Sequence, residues 1–442
     1  MLPIADRPNN ATISRSRAKR LWQKRRKSLT QVFRILAFCL PLLVSSGVSS
    51  SPLAAQEWGH FRGTKNNPVC KEAGFPDDFD RQEHVLWRVP LPGPGPSSPI
   101  VLGDLVVVTC ADGVNQSRLH VLAFDRATGR IAWHRTVRAT GATIFHPFGG
   151  VASNTPAGDG ECIVAMFSSN DVVCFDRAGN LLWFRGLGYD YPEMRNDVGM
   201  ASSPIIVGDT VIIQCENQGT SLLLGLDRKT GRTIWKKERM KDAIWSSPSL
   251  LEHSDVDGNL RKLVLIHGRD GLSVVDPQEG KTLYHYEISV NTMASSVSAD
   301  GAIYLPANGI HKLAIDPDNQ ELETLWYERR LRGSSPSPAI DDEKMYILKP
   351  PGIVVCADTE TGRMRWQVRL EGNFWATPVV AGDRLIAVDD AGKVQVVDLE
   401  KERGEKVGAF ELDGQCLATP AVTPEAVYFR TKQSLWKVST AP

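Results

Sequence analysis

One nine-residue phrase recurs along this chain and narrows the folds open to it. It reads Asp125-Arg126-Ala127-Thr128-Gly129-Arg130-Ile131-Ala132-Trp133, returns from Asp227 through Gly231 to Trp235, and returns again from Asp358 through Gly362 to Trp366. Weaker copies keep Asp176 with Trp183, Asp276 with Tyr284, and Asp316 with Trp326. The copies lie roughly 40 to 50 residues apart, with short Val, Ile and Leu runs between them, which is the period of a propeller blade. A single continuous sheet has no use for such a period, whereas a ring of small sheets requires one.

Each unit keeps one order. A Ser-Ser-Pro or Ala-Thr-Pro phrase opens it, a first apolar strand follows, and a Gly-Asp turn leads to a second. A third strand ends at the Asp, and a Gly-containing turn leads to a fourth that carries the aromatic residue. These runs and turns are antiparallel strand signals. Openings are read at Ser97, Asn154, Ser202, Ser246, Ser295, Ser335, Ala376 and Ala418, the copies at Asn154 and Ser295 being degraded. The eighth unit shows three strands, ending at Trp436-Lys437-Val438. Its fourth is expected at the other end, in His84-Val85-Leu86-Trp87-Arg88-Val89-Pro90, which looks like a fourth strand without its first three. Pairing the two stretches closes the ring and removes exposed sheet edges. The expected fold is therefore all-β, an eight-bladed propeller of four-stranded antiparallel blades closed by an N-terminal strand. It occupies residues 83–442, behind a lead-in segment at 56–82.

The recurring residues have physical roles. Gly after Asp supplies a turn conformation that other residues resist, and Asp bonds the turn amides. Trp on an outer strand can wedge between blades while its indole N–H finds a backbone acceptor. The residue two before the Asp is often small (Ala123, Cys174, Gly225, Ala314, Cys356), which reads as tight packing between sheets.

Charge and cysteines limit what such a ring does. The chain of 442 residues balances 51 bases against 51 acids, but residues 1–55 hold ten Lys or Arg and one acid, Asp6. The remainder therefore carries nine more acids than bases, and it shows no basic run to offset them, which argues against nucleic acid as a partner. The basic stretch Arg17–Lys27, an apolar core near Ile35–Val44 and Leu53-Ala54-Ala55 read as an export signal, which places the protein in the periplasm or outside the cell. A retained anchor stays open. Contact with a membrane is expected only through that segment or a partner, and the oligomeric state is read as monomer. Seven cysteines follow the signal, an odd number with no CxxC spacing, so no structural zinc site is read. Pairing of Cys162 with Cys174 across a hairpin is left open.

The Asp-x-x-x-Gly-x-x-x-Trp phrases, the Ser-Ser-Pro openings and the count of eight blades resemble PQQ-binding-like propeller repeats. Trp58-Gly59-His60-Phe61-Arg62-Gly63 resembles the Trp-x-x-Phe-Arg-Gly phrase common ahead of such propellers in exported bacterial proteins. The resemblance covers roughly residues 57–442 and is specific for fold. It implies either a quinoprotein alcohol dehydrogenase using pyrroloquinoline quinone and calcium, or a BamB-like assembly factor that binds protein partners without a cofactor. The adjacent cysteine pair typical of the dehydrogenases is missing. Asn196, Asp197, Asn291 and Asn373 match no calcium-loop spacing, and Asp255-Val256-Asp257-Gly258-Asn259 reads as an acidic turn. No haem, nucleophile-elbow, zincin or phosphate-loop motif is present, and His60, His146, His267 and His311 share no metal-ligand spacing. The expectation is a non-enzymatic scaffold with no cofactor, no catalytic residue and no metal. The alternative is a cofactor- or small-ligand-binding propeller, including a quinoprotein oxidoreductase.

In a propeller the first strand of each blade lines the channel, so the segment before each opening phrase lies at its mouth. Trp245 and Trp375 occupy that place and neither is an outer-strand Trp. With Phe148, Tyr191, Arg195, Asn291 and Arg332 they form the candidate binding face for a protein or peptide segment. Their plain alternative is to cap the inner ring. The loops Phe145–Gly150 and Leu187–Pro192, flanking blade two, are the richest in aromatic residues.

Overall fold

The structure is a computed structural model that describes residues 57–439, apart from positions 78, 80, 196, 256, 257 and 317. The export segment read at 1–55 lies outside the described residues. The strands form eight sheets. In chain order the inner strands of the blades are Ile100–Leu102, Ala157–Gly158, Ile205–Val207, Ser249–Ser254, Val297–Ala299, Ala339–Asp341, Val379–Ala381 and Ala421–Thr423. Each is followed outward by antiparallel partners. Blade eight is completed by Val85–Pro90, which pairs antiparallel with Ser434–Ser439 in the register Arg88↔Trp436. The ring closes as the sequence predicts. Arg430, 1% exposed, reinforces the seam by donating to Ser97 O at 3.1 Å and Thr109 O at 2.7 Å in blade one.

Adjacent blades are fastened by the repeat phrase itself. Five outer-strand Trp residues donate the indole N–H to the carbonyl of the residue after Asp in the next blade. Trp87 reaches Arg126 at 3.1 Å, Trp133 reaches Arg177 at 2.8 Å and Trp183 reaches Arg228 at 2.8 Å. Trp235 reaches Pro277 at 3.0 Å and Trp326 reaches Thr359 at 3.0 Å. The turn Gly lies flat against that ring. At Gly129 (φ 71) a Cβ would come within 2.8 Å of Trp87, and at Gly362 (φ 69) within 2.7 Å of Trp326. Gly here is required twice, by the left-handed backbone and by the ring above it. Where blade four carries Tyr284 instead of Trp, the next blade carries Gln320 at φ 58 instead of Gly. The Tyr284 hydroxyl and Gln320 Oε1 lie 3.1 Å apart.

Two details correct the sequence reading, and one bears it out. The small residues Ala123, Cys174, Gly225 and Cys356 sit opposite the Trp of their own blade in the strand ladder, and Ala123, Cys174 and Cys356 pack with core residues of the next blade. In blade five that place falls to Lys312, not Ala314, and its ammonium joins Trp326 on the Thr359 carbonyl at 2.9 Å. The opening phrases of blades five and six are Ala294-Ser295-Ser296 and Pro336-Ser337-Pro338, each one residue out of phase with the reading at Ser295 and Ser335, in opposite directions. Ser296 stands where the other seven blades carry Pro.

The lead-in segment is not a loose connector. Val69–Cys70 adds a parallel fifth strand to blade seven, beside Val379–Ala381. Before that, the segment follows the inner strands from blade to blade. Trp58 exchanges backbone bonds with Val101, and Gly59 O accepts from Gly158 N at 2.8 Å. His60 Nε2 accepts from Ile206 N at 3.4 Å and Asn66 Oδ1 from Leu250 N at 3.0 Å. Asn67 bonds both backbone groups of Ile340, and Pro68 O accepts from Val380 N. Inner-edge amides that a propeller leaves unpaired are thus satisfied by the chain's own N-terminal stretch.

Candidate functional site

The opening phrases build the wall of the channel. In seven successive blade pairs the backbone N–H of the second phrase residue donates to the hydroxyl of its counterpart in the next blade. The donors are Ser98, Thr155, Ser203, Ser247, Ser295, Ser337 and Thr377, and the last acceptor is Thr419, all at 2.9–3.1 Å. This belt explains why the position is always Ser or Thr. A side chain must accept from the neighbouring amide, and a short hydroxyl does so without filling the channel.

On the side of the lead-in segment Phe61 lines the channel, and on the other side the mouth loops do, around a cup-shaped cavity of about 480 Å³. Phe145, Phe148, Met200, Trp245, Met293 and Trp375 form its upper wall, and among the described residues no Asp, Glu, Lys or Arg lines it. Phe148 and Trp375 face each other across the mouth at 6.1 Å between ring centroids, 20° from parallel. They are 46% and 38% exposed, so this pair is presented to solvent. His146 stacks behind Phe148 at 5.7 Å. Trp245 is fixed by an indole bond to Gly199 O at 2.9 Å. Rigid aromatics and methionines around a concave, uncharged space suit an apolar side chain more than a charged one.

Of the seven residues read from the sequence, three meet here: Trp245, Trp375 and Phe148. Asn291 supports the site without lining it. Its Oδ1 accepts from Met293 N and Ala294 N at 2.8 and 2.9 Å, and its Nδ2 donates to Ser334 O at 2.9 Å. Tyr191 packs against the core of blades two and three, with the Lys236 ammonium 5.5 Å from its ring centroid. Arg195 borders a separate polar hollow with Glu193, Asp197 and Gln218. Arg332 ends the short 3-10 turn Arg329–Leu331 and is exposed. Sequence reasoning missed Phe61 and Leu417 as lining residues. The hydroxyl belt was legible as an unbroken Ser/Thr choice at one position of every phrase.

Cys70, Cys110, Cys162, Cys174, Cys215, Cys356 and Cys416 are buried thiols, and no disulfide joins Cys162 to Cys174. The two sit diagonally on adjacent strands of blade two, Val164 facing Cys174 in the register. The neighbouring Cys162 thiol, and after it burial, push the Cys174 thiol far above its ordinary range. Among the described residues no group of three or more His, Cys, Asp or Glu is arranged to hold a metal ion. Among the described residues the cup offers no carboxylate, so the calcium of a quinone site would find no acidic ligand among them.

The chain matches the family model described as outer membrane protein assembly factor BamB over residues 80–220, 193–304 and 313–434. It is similar to the assembly factor of that name from Moranella endobia, 22% identical over 287 residues, covering 63% of this chain and 67% of that protein. The Bordetella pertussis protein of the same name is 25% identical over 185 residues, covering 40% of this chain and 43% of its own length. The crystal structure of BamB from Moraxella catarrhalis superposes with a TM-score of 0.59 at 16% identity, over 80% of this chain and 97% of that one. At that identity the superposition speaks for the fold alone.

Proposed function

The chain belongs to the family described as outer membrane protein assembly factor BamB, and on that premise we propose that it is an exported, non-catalytic scaffold. In this reading it works in the cell envelope, and its channel mouth holds an apolar segment of a protein partner. The observation that carries the reading is the cup, uncharged among the described residues, with the Phe148–Trp375 pair at its lip. Aromatic anchors around a concave space are what protein hot spots are made of. The negative excess of the mature chain and the uncharged cup both disfavour a nucleic-acid role.

The test is site-specific photocrosslinking in the exported protein. A photoreactive residue at position 375 is expected to capture an envelope protein. One at Arg403, on an exposed turn of blade seven, is not. Trp245→Ala is expected to weaken capture from position 148. Equal capture at 375 and 403, or none at 375, would remove the mouth from consideration.

A further inference from the structure

The lead-in phrase contributes Phe61 to the cup, but its next residue has no part in that site. Arg62 is fully buried, 0% exposed, on a left-handed backbone (φ 66). Its Cζ lies 5.3 Å from the Phe61 ring centroid, so it sits against the ring that floors the cup. Nη2 donates to Ser296 O at 3.2 Å. Nε and Nη1 have no hydrogen-bond partner among the described residues. No ion pair joins Arg62 to a described carboxylate.

The surroundings supply donors and neutral groups, not negative charge. His267, 3% exposed, lies with Nδ1 3.0 Å from Asn291 O and Nε2 2.8 Å from the Ser296 hydroxyl. That pattern suits a neutral ring that donates from Nδ1 and accepts at Nε2. Burial, opposed by the Asn291 bond and joined by the Arg62 charge, lowers its pKa to about 4. Burial alone lowers Arg62 to about 9, which leaves it a cation at neutral pH. The cluster forms at the one blade in eight where Ser296 replaces Pro. A buried guanidinium with most of its N–H groups unmet is costly unless an acceptor of opposite charge joins it.

We propose that the base of the channel binds a small monovalent anion of halide size against Nε and Nη1 of Arg62, beneath the Phe61 floor. An anion fits better than water alone because it meets the free donors and neutralises the charge together. Such a site makes the anion part of the folded structure, tying the lead-in segment to blade five.

The experiment uses the full mature protein. Its thermal midpoint is measured as chloride replaces methanesulfonate at constant ionic strength. The midpoint is expected to rise by roughly 2 °C or more per tenfold chloride above the dissociation constant, and Arg62→Met is expected to abolish the dependence. If that variant fails to fold, crystals of the unaltered protein grown in bromide decide the matter, with an anomalous peak expected beside the guanidinium. A chloride-independent midpoint, no bromide peak, or a carboxylate from another part of the chain at Arg62 would overturn the site.

Discussion

The two ends of the central channel are made from the same inner strands and are finished in opposite ways. At the base, inner-strand amides are met by Trp58, Gly59, His60, Asn66, Asn67 and Pro68, residues of a segment outside the repeats. At the mouth, the amides of the opening phrases are met within the ring, each blade serving its neighbour through a Ser or Thr hydroxyl. The base therefore depends on an added piece of chain, and the mouth needs nothing added. Residues above the hydroxyl belt are free of that structural duty. This frees Phe148 and Trp375 to stand half exposed, while Arg62 and Trp58 are wholly enclosed. Substitutions should separate stability from binding along this axis.

The largest effect is expected at the base. Trp58 is 3% exposed and packs in the core shared by blades one, seven and eight. Trp58→Ala should cost about 3–5 kcal/mol of stability, read as a lower denaturant midpoint. A loss under about 1 kcal/mol would mean that the lead-in segment lies on the ring without supporting it.

Next comes acid sensitivity. His60 is buried, and burial outweighs its bond with Thr64 O to lower its pKa to about 4. Its Nε2 accepts from an amide, so a protonated ring would set donor against donor. The unfolded chain takes up this proton near pH 6.5 and the folded protein does so only near 4. Stability contributed by the neutral ring is complete above pH 6.5 and falls as pH drops from 6.5 to 4, by on the order of 3 kcal/mol. His267 acts in the same direction. Glu216 acts in the other, because burial raises it to about 7 against the pull of Arg239, so stability from that group falls as pH rises from 4.5 to 7. The clean measurement is the difference between the unaltered protein and His60→Gln. The variant should show a shallower loss of stability between pH 6.5 and 4, and parallel curves would refute the assignment.

What the sequence showed, and what it hid, follows the same axis. The ring, its closure through Trp87 and the place of the mouth were legible because each depends on residues repeated in register. Trp245 and Trp375 could be found because they break that register at a predictable spot. The course of residues 57–73 was hidden. Its contacts reach partners such as Ile340 and Ser296, more than 230 positions away, and follow no period. Blade seven was obscure for a related reason. It lacks the outer Trp: Gly408 stands at that place, opposite Val396 and against Asp77 O of the lead-in segment. Two residues further on, Phe410 packs on Phe79, with ring centroids 3.7 Å apart, and on Phe75 at 6.1 Å, so the lead-in segment fills the space that the missing Trp leaves. The phase errors at Ser295 and Ser335 arose where runs of serine and proline offered several equivalent alignments.

The smallest effect on stability is expected at the lip of the cup. Trp375 is 38% exposed, its indole makes no hydrogen bond to the described residues, and its main ring contact is Phe148. Trp375→Ala should change the denaturant midpoint by no more than about 0.5–1 kcal/mol. The same variant should lose most of the partner capture read from a crosslinker at position 148. A ring that merely capped the inner wall would behave in reverse, with a clear loss of stability and capture unchanged. Trp326→Ala supplies the scale: that Trp spans two blades through the Thr359 carbonyl, so its removal should destabilise the ring severalfold more while leaving the mouth able to bind. If the two substitutions cost the same, the mouth is as structural as the blade junctions, and the contrast between the ends of the channel fails.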